Sequence, residues 1–239
     1  MNPDEFFKVM SKTINRHLQT PGREVQSASE TSFDKWINQG GDHARNYSTN
    51  IYLEGSLLSM LLDIHLLETT QAKVNYRQVH NALYNKHTLP QGFTEQDVLA
   101  ILKELTGEDY TTWWHDNVST PANIDFDALL GKVGLKLTRP KSAKPLASID
   151  ATAKNSGELL TLTHVRRGGA AWQAGLTTDD KIVAVNKQHV GKDLKSSLEV
   201  FKAGEKVTID FIRRDALQST TLVLSQDYDK PKKVVADKN

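Results

Sequence analysis

Arg167-Gly168-Gly169-Ala170-Ala171-Trp172-Gln173-Ala174-Gly175-Leu176-Thr177-Thr178-Asp179-Asp180-Lys181-Ile182-Val183-Ala184-Val185-Asn186 organises the second half of this chain. The order is a turn, a short helix rich in small residues, a Gly stop, an acidic turn and a short apolar run. Gly168 and Gly169 supply the backbone freedom of a tight turn. Ala170, Ala171 and Ala174 let a short helix lie close to a sheet. Gly175 falls where a helix C-terminus takes a left-handed residue. Ile182-Val183-Ala184-Val185 suits a strand buried on both faces.

Further strand-like runs surround this stretch: Leu159-Leu160-Thr161-Leu162, Val207-Thr208-Ile209-Asp210-Phe211-Ile212 and Thr221-Leu222-Val223-Leu224. A short helix is expected between them, around Asp193 to Lys202. The order resembles that of PDZ domains, which are peptide-binding modules. Two positions depart from the PDZ pattern: Asp179 stands where Gly is usual before Asp180, and Lys187 follows Asn186 in place of Gly. The spacing and the apolar positions are kept.

Toward the N-terminus the period changes to that of helices. Asn2, Pro3 and Glu5 form a helix start with a capping box, and Phe6, Val9, Met10, Ile14 and Leu18 follow on one face. Thr20-Pro21-Gly22 ends that helix. A second short helix carries Phe33, Trp36 and Ile37 and breaks at Gly40-Gly41. Ile51 to Leu67 reads as a buried helix; Glu54, Asp63 and His65 interrupt it, and it is short for a membrane span. Tyr76, Val79, His80, Leu83 and Tyr84 suggest another helix. Thr94 and Asp97 start the next, with Val98, Ile101, Leu102 and Leu105 on one stripe and Gly107 as its stop. Asp125 to Leu130 is the last. The expected fold class is therefore α+β multidomain. An N-terminal α-helical bundle (1–133) precedes a PDZ-like β-sandwich or barrel with two short helices (134–226). The Lys- and Asp-rich tail (227–239) is expected to be disordered.

Composition narrows the function. Thirty Lys and Arg against 29 Asp and Glu give a net charge of +1, which argues against nucleic acid as a partner. No cysteine occurs, so disulfides and thiolate metal sites are excluded. Asn2-Pro3-Asp4-Glu5 is acidic where a secretory signal needs a basic region. No membrane partner is expected, and the compartment stays open between bacterial cytoplasm and periplasm. No two of the eight His residues lie four apart, and no His-Glu-x-x-His, Gly-x-Ser-x-Gly or phosphate-cradling Gly loop occurs. No metal ligand is therefore assigned, and nothing here generates a nucleophile.

Three runs in the helical half carry a second resemblance. Pro21-Gly22-Arg23-Glu24-Val25-Gln26-Ser27-Ala28-Ser29-Glu30-Thr31-Ser32-Phe33-Asp34-Lys35-Trp36-Ile37 is the first. Asn50-Ile51-Tyr52-Leu53-Glu54-Gly55 with Leu61-Leu62-Asp63 is the second. The third comprises Gly92-Phe93-Thr94-Glu95-Gln96-Asp97-Val98, then Leu105 to Tyr110 and Leu129 to Leu135. In this order they resemble the C-terminal region of the glycyl aminopeptidase family of gluzincin-type zinc metallopeptidases, which ends in a PDZ domain. Arg213-Arg214-Asp215-Ala216-Leu217 resembles a turn of the same family. The resemblance implies zinc in the full-length parent, bound by a catalytic domain that precedes the region seen here, so that domain is an implied partner. No cofactor and no turnover are expected of this chain alone. The resemblance also implies a role for Tyr52, as the tyrosine that stabilises the oxyanion in the parent; the competing reading packs it at the start of a buried helix. Ile51 and Glu54 depart from the Tyr and Lys of the family pattern.

A PDZ domain holds an extended peptide as an added strand between a sheet strand and a helix. The resemblance places that site at Leu146, Ala147, Ser148 and Ile149, facing Leu194, Ser197, Leu198 and Phe201. Ala147 stands where related domains have Gly; Asp150 is expected to repel a nearby carboxylate, with Lys144 or Lys195 placed to offset it. The function expected is a non-catalytic helical and PDZ region that supports a substrate cleft and docks or binds a peptide or protein C-terminus. The alternative is a free-standing PDZ adaptor for peptide C-termini.

Overall fold

The computed structural model describes residues 2–34, 44–157 and 159–237. The expected positions of Trp36, Ile37 and Gly40-Gly41 lie outside them. In chain order the helices are α1 (Pro3–Leu18), α2 (Ala28–Asp34), α3 (Ala44–Tyr47), α4 (Ile51–Thr69), α5 (Tyr76–Lys86), α6 (Glu95–Thr106), α7 (Thr111–Trp114) and α8 (Phe126–Gly131). Then come β1 (Leu135–Thr138), β2 (Pro145–Ser148), β3 (Ala151–Ser156), β4 (Leu159–Val165), α9 (Ala170–Gln173), β5 (Lys181–Val185) and β6 (Gln188–His189). The chain ends with α10 (Leu194–Leu198), β7 (Lys206–Arg213), β8 (Ala216–Val223), β9 (Ser225–Tyr228) and β10 (Lys233–Ala236). Two compact units result. One holds residues 2–34, 47–138 and 233–237; the other holds 44–46 and 139–232.

Local chemistry explains the helix ends of the first unit. The Asn2 side chain accepts from the Glu5 N–H at 2.8 Å, and the Glu5 carboxylate accepts from the Asn2 N–H at 3.3 Å. Thr94 and Asp97 repeat the box at α6, and Gly107 closes that helix with φ +81°. Ile14, Leu57, Leu58, Phe126 and Leu130 form one core, and Leu66, Val79, Ile101 and Leu102 form a second. One polar cluster is buried with them. The Glu54 carboxylate accepts from His17 Nδ1 at 2.8 Å and from Thr49 Oγ1 at 2.7 Å, with His17 wholly buried. The Phe126 ring lies edge-on to the imidazole, with centroids 5.4 Å apart.

Within the expected tail, the described residues up to 237 carry strand structure instead. β10 pairs antiparallel with β1, with Val234 opposite Leu137, and β9 pairs antiparallel with β2. Val234 is buried in the helical core, and its N–H donates to Ser11 Oγ at 2.9 Å. Lys and Asp dominate this segment by count, yet two valines and a complementary strand edge order it. The first unit accordingly runs past residue 133 to Thr138 and reclaims the chain at Lys233.

The second unit is a sheet in the order β3-β4-β5-β7-β8, with β6 paired on β5; all neighbours are antiparallel. Its core holds Leu160, Leu162, Ile182, Ile209, Phe211 and Leu224. Arg213 is not the solvated turn residue its neighbourhood suggests. Its Nε and Nη2 reach the two oxygens of buried Asp180 at 2.7 and 2.6 Å, and Nη2 also donates to the Gly175 carbonyl. Asp180 in turn accepts from the Thr177 N–H at 2.8 Å, and its hydrogen bonds to the guanidinium, helped by its charge, raise the Arg213 pKa. Asn186-Lys187 and Arg214-Asp215 make two-residue hairpin turns with positive φ at both positions of each. Asp179 also sits at φ +73°. At Asp179 and Lys187, where Gly is usual, L residues hold a conformation that costs about 1 kcal/mol or more.

Two stability outcomes follow from these contacts. Glu54→Ala strands the His17 and Thr49 donors and should lower unfolding free energy by about 3 kcal/mol in urea titrations; an unchanged midpoint would show that the buried cluster contributes nothing. Lys187→Gly should raise stability by up to about 1 kcal/mol, and a loss would contradict the strain argument.

Candidate peptide-binding groove

Among the described residues β3 is the terminal strand of its sheet and pairs with β4 alone. Its second edge therefore offers unpaired backbone groups, a template for an added strand. Ala151, Thr152 and Ala153 of β3 line a groove of about 360 Å³ together with Leu194, Lys195 and Leu198 of α10. Leu146, Ala147, Ser148 and Ile149 close it on a third side, and Asp193, Asp227, Tyr228 and Asp229 complete it. Ile149, Leu194 and Leu198 are buried and make its floor apolar.

Six of the eight residues expected at the site are thus brought together. Ser197 and Phe201 are not among the lining residues. Ser197 Oγ is engaged with the Gly191 N–H and the Asp193 carbonyl, both at 2.9 Å. The helix stops at Leu198, well short of Lys202, so Phe201 lies beyond its last turn and packs on the domain core. β2, within the expected segment, packs on α10; β3, which was not among the expected strands, also lines the groove. Lys154, Asn155 and Ser156 make it read as a loop; the alternation of half-buried Ala151 and Ala153 with exposed Thr152 and Lys154 is the signal that could have found it.

Backbone direction at the groove follows from one bond. The Asp229 N–H donates to the Lys144 carbonyl at 3.0 Å. In this antiparallel ladder Leu146 and Ser148 then point their backbone groups at β9, and Ala147 points its own away. Ile149 accepts from the Ala171 N–H at 2.8 Å; its own N–H meets no acceptor among the described residues.

Asp150 does not face the groove as a repelling charge. It holds φ +58°, and its carboxylate accepts from the Ala170 N–H at 3.0 Å, at the start of α9. Its N–H donates to Ser148 Oγ, and its carbonyl accepts from the Arg166 N–H. Gly169 is required by space, since a Cβ there would lie 2.4 Å from Asp150 Cβ. The same turn is fastened by Asn46 of α3, which donates to the Val165 carbonyl at 2.8 Å and accepts from the Arg167 N–H at 2.9 Å. At α10, hydrogen bonds from the Ser196 backbone and hydroxyl hold the Asp193 pKa below its ordinary value. That cap therefore contributes fully above the ordinary Asp pKa and is lost as pH falls through the lowered one.

The helical unit holds a larger groove of about 1210 Å³, lined in part by Phe33, Tyr76, Tyr84, Phe93, Trp113 and Trp114. Phe33 and Tyr84 are 82% and 76% exposed. Tyr52, near the start of α4, is 82% exposed and lies outside that lining; the packing expected for it does not occur. Among the described residues no three His, Cys, Asp or Glu side chains are grouped to hold a metal ion. No helix there is long and apolar enough to cross a membrane.

The comparisons accord with these two halves. Residues 1–58 match the family model of the M61 glycyl aminopeptidases, and residues 161–213 match that of the PDZ domain. No curated protein matches the chain. A solved aminopeptidase N family protein from Idiomarina loihiensis aligns with 100% of this chain and 43% of its own, at 22% identity and a TM-score of 0.83. This chain thus spans less than half the length of that protein, and the likeness is one of fold. The HtrA-type protease AlgW, solved with a decapeptide, aligns over 35% of this chain and 30% of its own at 18% identity and a TM-score of 0.32. The PDZ domain of the carboxy-terminal protease of Vibrio cholerae, solved with a peptide, aligns over 35% of this chain and 98% of its own at 18% identity and a TM-score of 0.28.

The Asp150–Gly169 contact yields a double-mutant outcome. Gly169→Ala should cost about 1–3 kcal/mol through overpacking. Added to Asp150→Gly, which removes the opposing Cβ, it should cost markedly less; strict additivity would show that the two positions do not press on each other. The PDZ domain and an N-terminal stretch similar to the M61 glycyl aminopeptidases are joined in one chain.

Proposed function

We propose that this chain is a peptide-engaging, non-catalytic region of an M61-type aminopeptidase. Its PDZ domain binds or docks an extended peptide between β3 and α10, and its helical unit supports the substrate cleft. The observation that carries the peptide role is the open edge of β3 beside an apolar helix face. An extended chain gains backbone hydrogen bonds on the strand and places alternate side chains in the groove. The unbonded Ile149 N–H lies where such a chain begins to pair.

The cleft role rests on the M61 match and on the aromatic groove of the helical unit, whose rings Phe33 and Tyr84 are left open to solvent. Zinc belongs to that parent reading. The donors described here do not fit a zinc site, so no step through the metal is assigned to this chain. Tyr52 is proposed as the oxyanion-stabilising residue of the parent, and its exposure leaves the phenol able to reach a group outside this chain.

Binding is tested by titrating peptides into the isotopically labelled chain. Amide resonances of Ala147, Ile149 and Ala151 to Ala153 should shift together, and shifts confined elsewhere would reject the groove. Ala153→Trp should abolish binding by filling it while leaving the spectrum folded. Incubated with zinc, the chain should not hydrolyse glycyl or alanyl amides; turnover that scales with bound zinc would refute the non-catalytic role.

A further inference from the structure

Resting on the groove reading above, we propose that this PDZ groove takes an internal extended segment, or a terminus without charge, in preference to a free carboxylate terminus. The charges that line it point that way. Asp193, Asp227 and Asp229 supply three carboxylates against the single ammonium of Lys195. Two of the three stand beside β2, the strand that leads into the Ala147 and Ile149 amides open to a terminal carboxylate. Asp227 is directly across the β2–β9 ladder from Leu146, and the Asp229 side chain accepts from the Lys144 N–H at 2.6 Å. The third, Asp193, is kept ionised by its hydrogen bonds to Ser196. Arg139 does not line the groove; its guanidinium stacks on the Tyr228 ring at 3.7 Å and donates to the Lys230 carbonyl at 2.8 Å.

The backbone supplies little to offset these charges. A carboxylate leaving water needs several donors, and uncompensated charge in a partly apolar cleft is costly. Leu146 and Ser148 spend their backbone groups on β9, which leaves the amides of Ala147 and Ile149. An internal segment brings no such charge. It needs only the open edge of β3 and the apolar floor, both of which are neutral, and it can continue past those carboxylates.

The test is an array of random decapeptides, each displayed with a free C-terminus, as a C-terminal amide, and internally between Gly-Ser flanks, probed with the full chain. Dissociation constants of the strongest sequences are then measured in all three forms. The amide and internal forms should bind at least tenfold more tightly than the free acid. Equal affinity, or tighter binding of the free acid, overturns the proposal while leaving the groove reading intact. Absence of binding in every form overturns both. The double variant Asp227→Asn, Asp229→Asn keeps the oxygen that each backbone N–H uses and removes both charges. It should narrow the gap between the free acid and the amide, both measured on the variant, by at least half on a logarithmic scale; an unchanged gap would assign the discrimination to something other than these carboxylates and overturn it.

Discussion

Asp150 turns the chain from β2 into β3 in a left-handed conformation and is bonded through its N–H, its carbonyl and its carboxylate. It joins Ser148 before it, Arg166 across the sheet and Ala170 at the start of α9. This one residue fixes where β3 begins and how its edge stands beside α10. It also explains Gly169, whose missing Cβ is the space Asp150 occupies. Left-handed backbone in a non-Gly residue is costly, and here three hydrogen bonds hold it in place.

The remaining polar fastenings of the PDZ unit act at longer range. The forked Arg213–Asp180 pair ties the end of β7 to the loop before β5 and to the last carbonyl of the α9 turn. Asn46 reaches the Val165–Arg167 turn across more than a hundred residues of sequence. Each uses a planar or forked group to satisfy two backbone or carboxylate partners at once, so orientation is set together with distance.

The helical unit is built differently. Its helix ends are fixed by neighbouring residues, and its packing by two apolar clusters. The buried cluster of His17, Glu54 and Thr49 joins α1 to the start of α4. Such a group favours one arrangement because any other leaves the carboxylate without donors. The exposed rings of Phe33, Tyr84 and Phe93 belong to one groove, whereas Tyr52 stands open outside it.

The sequence by itself determined the element types and the order of the two units, because capping boxes, helical periodicity and the small-residue turn before α9 are local signals. Six of the residues it singled out for a peptide site line one groove. It did not reveal that β3 is the open edge, that the charged tail forms β9 and β10, that Phe201 lies beyond the helix, or that Asp150 faces α9. Those outcomes depend on pairings between residues far apart in the chain. A strand edge is open or closed only by virtue of what lies beside it, and a charge repels or fastens according to which donor the fold sets against it. Tertiary structure alone makes those choices.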